Sequence, residues 1–282
     1  MPSTEESTNG ESNGKSDAPE TPMISVENVT KSYGDRVVID RVSLDVPKRS
    51  ITAIIGSSGG GKSTLLKMLI GAIKPDSGNI YIDNANIAPM PEKELKNLRK
   101  KMGMLFQNVA LFADLTVGEN VALPIVEHTD LDNSVVGIMV RMKLDQVGLS
   151  EFEELYPREL SGGMQKRVGI ARAIALDPKI VFFDEPTAGL DPVVSGVINK
   201  LIIDLTRLLG ITSVVVTHSM EGAMKVGDRV VLLYGGKKYF EGTPGELEES
   251  PDPLVQQFLH GAAEGPIPMR KSAEEYRKTL LG

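Results

Sequence analysis

Nine consecutive residues read Gly56-Ser57-Ser58-Gly59-Gly60-Gly61-Lys62-Ser63-Thr64, and the first eight match the pattern G-x-x-x-x-G-K-[S/T]. They lie between an apolar run, residues 51–55, and a predicted helix over residues 65–70. Glycines let backbone N–H groups point inward around phosphate oxygens, and the following helix N-terminus adds a favourable dipole. In such a loop we expect Lys62 to reach the β- and γ-phosphates and Ser63 to ligate Mg²⁺. A flexible turn needs neither residue, so the pattern predicts a nucleotide site.

Two acidic residues end another apolar run and form the second part of the predicted site. The run is Ile180-Val181-Phe182-Phe183, and Asp184 and Glu185 follow it directly. In an open α/β sheet, ligands bind at the carboxyl ends of the strands. We therefore expect Asp184 to hold Mg²⁺, directly or through water, and Glu185 to orient and deprotonate the attacking water. The alternative is a pair of solvated acids at a strand end, and the phosphate loop argues against it.

One histidine and one tyrosine extend the predicted site. His218 follows the apolar stretch TSVVVT at residues 212–217, so we expect it at the same sheet edge, where it can hydrogen-bond the γ-phosphate. Tyr33 lies upstream in SYGD, and its ring can stack on adenine, although a tyrosine that ends a strand more often simply packs. For His128 and His260 an exposed loop or tail is the preferred interpretation.

A second glycine motif, Leu160-Ser161-Gly162-Gly163-Met164, opens a stretch predicted to be helical over residues 165–176. Ser161 can cap this helix, and the paired glycines leave its N-terminus bare. Such a helix end binds anions, yet the motif has no obvious anion of its own. One economical interpretation is that it meets the γ-phosphate held by another copy of the domain.

Composition limits the classes of protein to which the chain can belong. Its 282 residues are 41% hydrophobic and 24% charged, as in ordinary globular proteins, and the absence of cysteine excludes disulfides, thiolate metal sites and cysteine nucleophiles. The formal net charge is −7, much of it before residue 23, so the nearly neutral body argues against a nucleic-acid partner. The chain lacks an apolar run near the roughly 18 residues of a membrane helix and an apolar signal core, so we expect a cytosolic-type protein.

The chain is predicted to hold one ordered domain after an acidic tail. Residues 1–22 are rich in Ser, Glu, Asn, Gly and Pro, which predicts disorder. Residues 23–46 alternate as antiparallel strands do, and residues 115–160 lack strand runs and are expected to form an inserted helical lobe. An apolar stripe over residues 194–209 predicts a helix, with Asp191-Pro192 at its start. Short apolar runs alternating with helices predict a mainly parallel sheet: residues 179–183, 212–216 and 229–234.

Together these motifs resemble those of the ATP-binding cassette (ABC) ATPases over roughly residues 23–250. In that family's terms the chain carries Walker A at 56–64, Gln107 in the LFQN segment, the signature at 160–164, Walker B at 180–185, the D-loop at 188–191 and the switch His218. Met164 departs from the family pattern, since many members carry Gln there. The resemblance implies an α/β fold with a P-loop NTPase core and a mainly parallel sheet, an antiparallel β subdomain and an inserted helical subdomain at about 108–176.

The resemblance also implies how the site works. It implies a head-to-tail homodimer that holds two ATP molecules with Mg²⁺, each between one phosphate loop and the signature of the other subunit. Glu185, His218 and Gln107 would act in hydrolysis, and Gln107 would pass the signal to a membrane permease. Ser63, Gln107 and Asp184 would hold the metal. The implied nucleotide-binding residues are Tyr33, Gly56, Ser57, Ser58, Gly59, Gly60, Gly61, Lys62, Ser63, Thr64, Gln107, Ser161, Gly162, Gly163, Asp184 and Asp191.

Other stretches resemble one group within the family. SMEGAM after His218, FEGTPGEL at 240–247 and the tail 255–268 are similar to the ATPases of MCE-type lipid transporters, which include the Mla (maintenance of lipid asymmetry) system. That resemblance would imply phospholipid cargo, an MCE-type substrate-binding protein, and a place on the cytoplasmic face of the inner membrane. An amino-acid, metal or lipoprotein system, or a membrane-tethered regulator that signals rather than transports, stays an alternative. ABC ATPases of DNA repair or translation typically carry two cassettes, coiled coils or zinc modules, which this sequence lacks.

Two segments have two interpretations each. The apolar run 109–112 lies where the family grips a cytoplasmic helix of the permease, or else it packs inside the helical lobe. Residues 251–282 form an extension beyond the cassette, with an apolar stripe on a short helix and a mixed-charge stretch at 272–281. Either this first helix packs on its own domain, or the tail crosses to the partner cassette and holds the dimer together. The stripe consists of Leu254, Val255, Phe258 and Leu259.

Overall fold

The computed structural model describes residues 21–267, and ten strands in this range form two sheets. The antiparallel sheet contains β1 (Ile24–Tyr33), β2 (Arg36–Val46), β4 (Ser77–Ile82) and β5 (Ala85–Asn86), in the order β2-β1-β4-β5. The second sheet contains β3 (Ile51–Gly56), β6 (Met102–Leu105), β7 (Ile180–Asp184), β8 (Thr212–Val216), β9 (Arg229–Tyr234) and β10 (Lys237–Gly242). Its order is β10-β9-β3-β8-β7-β6, and its strands run parallel apart from β10. The predicted α/β class, with one mainly parallel and one antiparallel sheet, is confirmed.

The helices fall into three groups. The first two follow β3 and precede β6: α1 (Lys62–Leu69) and α2 (Glu92–Arg99). Between β6 and β7 lie α3 (Val117–His128), α4 (Asn133–Gln146) and α5 (Gly162–Ala173), which form the helical subdomain. The rest accompany β8 to β10: α6 (Pro192–Leu209), α7 (Met220–Val226), α8 (Pro244–Glu248) and α9 (Pro253–His260). Within residues 21–267 none of these helices is long and apolar enough to cross a membrane.

The strand order places the predicted catalytic segments at one edge of the parallel sheet. Strands β3, β8 and β7 are neighbours, and β3 and β8 are buried along their whole length, because their side chains are covered on both faces. The loop 56–64 follows β3, Glu185 follows β7, and Thr217 and His218 follow β8. Since the three strands are parallel, these segments emerge side by side at their carboxyl ends.

Two predicted helices begin earlier than their apolar patterns indicate. Helix α1 begins at Lys62 rather than Leu65, because Gly61 adopts a left-handed conformation with φ 95° and starts the helix inside the phosphate loop. Helix α5 begins at Gly162 rather than Gln165, because the side chain of Ser161 caps it. Both motifs therefore supply the N-terminal turn of a helix, where backbone N–H groups are free of helical partners.

The apolar stripe of α9 packs on its own domain. Leu254 and Val255 are buried in a cluster with Leu247 and residues of β3 and β9, and Phe258 packs against it. The other predicted helix of the extension, residues 272–281, lies outside the described residues, as does most of the predicted acidic tail.

Candidate functional site

The phosphate loop has a backbone that requires glycine at both ends. A Cβ atom on Gly56 (φ 152°) would lie 2.1 Å from the carbonyl oxygen of Leu233, and one on Gly61 would lie 2.5 Å from Cδ1 of Ile39. The loop is thus pressed between β9 and β2. The ammonium of Lys62 lies under it and donates to the carbonyl oxygens of Gly56 (2.8 Å) and Ser57 (3.1 Å). A cation under a glycine-rich loop that leads into a helix N-terminus suits an oligophosphate.

Two lysines and two acids form a partly buried cluster beside the loop. Burial lowers the pKa of Lys62, and the charges of Glu185 and Asp184 oppose that shift. Burial raises the pKa of Asp184, the charge of Glu185 raises it further, and Lys166 and Lys62 oppose both effects. The surroundings thus disfavour the charged form of Asp184, and a bound cation would compensate that charge.

The carboxylate of Glu185 is held at both oxygens. Oε1 lies 2.9 Å from Nδ1 of His218, and Oε2 accepts a hydrogen bond of 3.0 Å from the hydroxyl of Thr217. Glu185 itself is buried, and its φ of 47° is in the left-handed region, where few residues other than glycine are found. Such strain in a buried acid is typical of functional sites, and the arrangement suits a base that orients water.

An open cleft of about 320 Å³ adjoins this carboxylate. Its lining includes Glu185, His218 and residues of the loop between β7 and α6. Asp191, at the end of that loop, caps α6 as predicted: its Oδ1 accepts from the N–H groups of Val193 (2.9 Å) and Val194 (3.0 Å). One oxygen of Asp191 is therefore already occupied within the chain.

The second glycine motif lies against a different part of the chain from the first. The hydroxyl of Ser161 accepts from the N–H of Met164 at 3.3 Å, and both Ser161 and Gly162 are exposed. A Cβ atom on Gly163 would lie 2.6 Å from a methyl carbon of Val194, so glycine lets α5 approach α6 closely. The bare N-terminus of α5 thus faces outward from the cleft wall near Leu190.

Tyr33 is at the end of a hairpin beside the phosphate loop. Its ring is 52% exposed, and the Lys31 ammonium lies 5.8 Å from the ring centroid. Tyr33 pairs with Arg36, whose guanidinium lies 3.9 Å from where a Cβ atom on Gly59 would be. The hairpin therefore brings an exposed aromatic ring to the region of the loop, as its predicted role requires.

Gln107 lies two residues beyond β6 with its side chain exposed, and its carbonyl oxygen accepts from the ammonium of Lys166 at 2.7 Å. Lys166 and Thr217 complete the site but were not among the predicted residues. For Thr217 the signal was its place directly before His218 at the end of β8. For Lys166 no local pattern was available, since its partners are 59 and 19 positions away in the sequence.

A groove of about 470 Å³ lies between β6 and the helical subdomain. Phe106 and Phe112 line it and are 46% and 53% exposed. Val109 is buried and Leu111 packs on the core, as expected if the run 109–112 packs inside the helical lobe. Phe112 is exposed, as expected if the run contacts a permease. The buried amide of Asn120 fixes the backbone here, because it pairs with both the N–H and the carbonyl of Phe112.

Comparisons with known proteins agree with this geometry. A family model described as "ABC transporter" matches residues 39–188. The chain is 45% identical over 92% of its length, and 96% of the relative's, to the Escherichia coli K12 intermembrane phospholipid transport system ATP-binding protein MlaF. It is 40% identical over 89% of its length, and 73% of the relative's, to the probable ribonucleotide transport ATP-binding protein mkl of Mycobacterium leprae.

Two solved structures share the fold. One is a dimeric ATP-binding cassette, MJ0796, in a post-hydrolysis state bound to ADP and Pi: the TM-score is 0.72 at 34% identity, over 79% of this chain and 99% of the other. The other is cbiO1 of Clostridium perfringens, part of the cbiONQ transporter complex, with a TM-score of 0.77 at 31% identity over 81% and 91%. Site geometry, family model and relatives agree that this chain belongs to the ABC transporter family and is one of its ATP-binding, ATP-hydrolysing subunits.

Proposed function

We propose that this ATPase subunit drives a membrane permease that moves phospholipid, with Glu185 as the base that activates water. The observation that carries the catalytic part is the carboxylate of Glu185, which is held by His218 and Thr217 at the sheet edge that also bears the phosphate loop. The cargo is inferred from similarity to MlaF, which covers 92% of the chain.

Mg²⁺ fits the donors at this edge. It prefers oxygen ligands, and the hydroxyl of Ser63, the carboxylate of Asp184 and the amide oxygen of Gln107 supply three. The raised pKa of Asp184 supports the assignment, because a nearby divalent cation would compensate the charge that burial and Glu185 destabilise. When bound, the ion neutralises charge on the phosphates, while Lys62 and the loop N–H groups orient them.

A head-to-tail homodimer supplies the remaining ligands. Ser161 and Gly162 are exposed at the free N-terminus of α5, which suits a γ-phosphate held by a second copy. Similarity to dimeric cassettes supports this assembly. Tyr33 would stack on the adenine of its own site, and Asp191 would contribute through its uncapped oxygen.

The membrane partner would dock in the groove beside β6. Exposed Phe106 and Phe112 offer apolar anchors for a cytoplasmic helix of a permease, and the Gln107 loop lies between them. With such a partner the chain would act on the cytoplasmic face of the inner membrane, and an MCE-type protein would be the further partner that receives or delivers phospholipid.

The experiment compares Glu185→Gln with the parent chain in the complex purified with its membrane partners. We expect hydrolysis to fall by about 10²-fold or more while ATP still binds, because the amide keeps shape but accepts no proton. Transfer of labelled phospholipid between donor and acceptor vesicles should stop as well. Glu249→Gln, an exposed acid-to-amide change directly after α8, is the control and should leave both rates unaltered. An unaltered hydrolysis rate in Glu185→Gln contradicts the catalytic role, and hydrolysis without lipid transfer in the parent complex contradicts the cargo.

A further inference from the structure

Lys166 is a buried cation that the motif roles leave unexplained. Its residue surface is 4% exposed, and it lies on α5 in the helical subdomain. Its ammonium donates to two backbone carbonyls, those of Gln107 at 2.7 Å and Glu185 at 3.2 Å. A buried ammonium is costly unless its donors are satisfied, and these two bonds offset part of that cost.

The two carbonyls belong to segments with different tasks. Gln107 begins the loop that borders the groove for the membrane partner, and Glu185 is the proposed base. Burial lowers the pKa of Lys166, whereas the charges of Asp184 and Glu185 oppose that shift and favour the cation. The Nζ atom of Lys166 thus links the helical subdomain, on which Lys166 lies, to the groove loop and to the backbone of Glu185.

The backbone of Glu185 depends on outside support. Its φ of 47° is in the left-handed region, which costs energy for any residue with a Cβ atom. Its N–H donates to Val216 at 2.8 Å, and its carbonyl accepts from the N–H of Ala188 at 3.1 Å as well as from Lys166. These bonds hold the two peptide groups that flank the Cα atom of Glu185 and so set the direction of its side chain, and of these three partners only Lys166 comes from the helical subdomain.

The groove loop is held by the same helix at its other end. The guanidinium of Arg172 donates to the carbonyls of Val109 (2.5 Å) and Ala110 (2.8 Å). Both of these residues also have positive φ, 56° and 52°. Helix α5 therefore binds three carbonyls of the loop, those of Gln107, Val109 and Ala110, and a partner that displaces the loop must also move α5 or break these bonds.

We propose that Lys166 is a positioning residue that ties the Gln107 loop to the backbone of Glu185, so that a displacement of the loop redirects the proposed catalytic carboxylate. The inference rests on the proposed role of Glu185. Lys166 reaches carbonyl oxygens rather than phosphate, so its loss should affect the chemical step and leave nucleotide binding intact.

The central variant is Lys166→Met in the complex with its membrane partners, since Met keeps the length and removes the donor. We expect kcat to fall by about 10-fold to 100-fold, as a shift of about 1 Å in a catalytic group does, with KM for ATP within about two-fold of the parent. Lys166→Arg keeps a cationic donor and should restore most of kcat. Arg167→Met is the matched control: it removes a neighbouring cation of α5 that donates to Val147 and Gly148, and kcat should be unaltered.

A double-mutant cycle separates this inference from the proposed function. In the Glu185→Gln background, Lys166→Met should lower hydrolysis by less than about two-fold further, because the carboxylate through which it acts is gone. Multiplicative losses, or a rise in KM with kcat unaltered, overturn the positioning role. An unaltered rate in Glu185→Gln alone overturns the proposed base instead. If Lys166→Met does not fold, Lys166→Gln replaces it, since its shorter amide can pair with one carbonyl but cannot join both; a parental kcat in that variant also overturns the inference.

Discussion

The Nδ1 atom of His218 lies 2.9 Å from Oε1 of Glu185, and the adjacent Thr217 donates to the other oxygen. Two consecutive residues after β8 therefore hold the acid that follows β7. In addition to the γ-phosphate contact that the sequence predicts for His218, this arrangement lets it orient the carboxylate that we propose as the base.

We expect His218→Ala to lower single-turnover hydrolysis by about 10²-fold while ATP binding is retained, because an unoriented base loses most of its advantage. His218→Gln should recover part of the rate, since its amide can still donate to Oε1. The exposed His260 provides the control variant, His260→Ala, for which no change is expected. A parental rate in His218→Ala shows that Thr217 alone orients the acid.

Mixed dimers examine the shared site. Ser161→Arg adds bulk to the free end of α5, so hydrolysis should fail although the phosphate loop of that chain is intact. Hydrolysis should also fail in Lys62→Ala, because this change removes the cation that is expected to contact phosphate. Mixing the two variants restores one complete site, built from the loop of the first chain and the signature of the second, and hydrolysis should reappear. If the mixture stays inactive while each variant binds to a parent chain, the head-to-tail assembly is wrong.

Phe112→Ala should separate membrane binding from nucleotide binding. The side chain is 53% exposed in the groove, so its removal takes away an anchor and little core packing. We expect co-purification with the permease to fall by about ten-fold or more, with ATP affinity and thermal stability unaltered. Leu208→Ala, an equally conservative change at a 72% exposed site on α6, is the control. Loss of stability in Phe112→Ala instead indicates that the ring belongs to the core.

Asp184→Asn should both raise the melting temperature of the chain and impair its activity. The pKa of Asp184 is raised in the folded state, so its charge opposes folding above that pKa, and this penalty disappears as the pH falls toward the ordinary value of 3.8. The amide should therefore raise the melting temperature by roughly 2–4 °C at neutral pH, with a smaller gain in acid. Adding Mg²⁺ and ATP should reverse the order, because the parent alone can bind the metal fully. Thermal melts between about pH 5 and pH 8, with and without Mg²⁺ and ATP, measure both effects. Equal melting temperatures throughout contradict the assignment.

Local pattern was sufficient for the parallel strands β7, β8 and β9, whereas β4, β5 and β10 were not predicted. The apolar runs 212–216 and 229–234 coincide with β8 and β9, because a parallel strand buried on both faces needs an uninterrupted apolar stretch. The glycine, lysine and serine residues of the motif 56–64 were likewise sufficient to predict the phosphate loop. Each of these features is determined by residues that are adjacent in the sequence, so a single sequence is sufficient to predict it.

Contacts between distant segments were beyond such patterns. Val197 and Leu208 belong to the apolar stripe predicted for α6, yet they are 51% and 72% exposed, because they lie to one side of the face that Ile198, Ile202 and Leu205 bury. The bonds of Lys166 depend on three segments meeting in space. From the sequence alone, a lysine among helix-forming residues is expected to be a solvated cation, and only the fold shows what surrounds it.

The two ends of helix α5 lie at two different sites of the protein. Its 12 residues span about 18 Å, Ser161 precedes its first turn, and Arg172 and Ala173 of its last turn line the groove. A pivot of about 10° about one end carries the other through about 3 Å, which is the length of a hydrogen bond. In the assembly proposed above, the permease would contact the end of α5 that lines the groove, and the γ-phosphate of the opposite subunit would contact the end that follows Ser161. A tilt of α5 alone would then couple movement of the permease to nucleotide binding, without any segment having to fold or unfold.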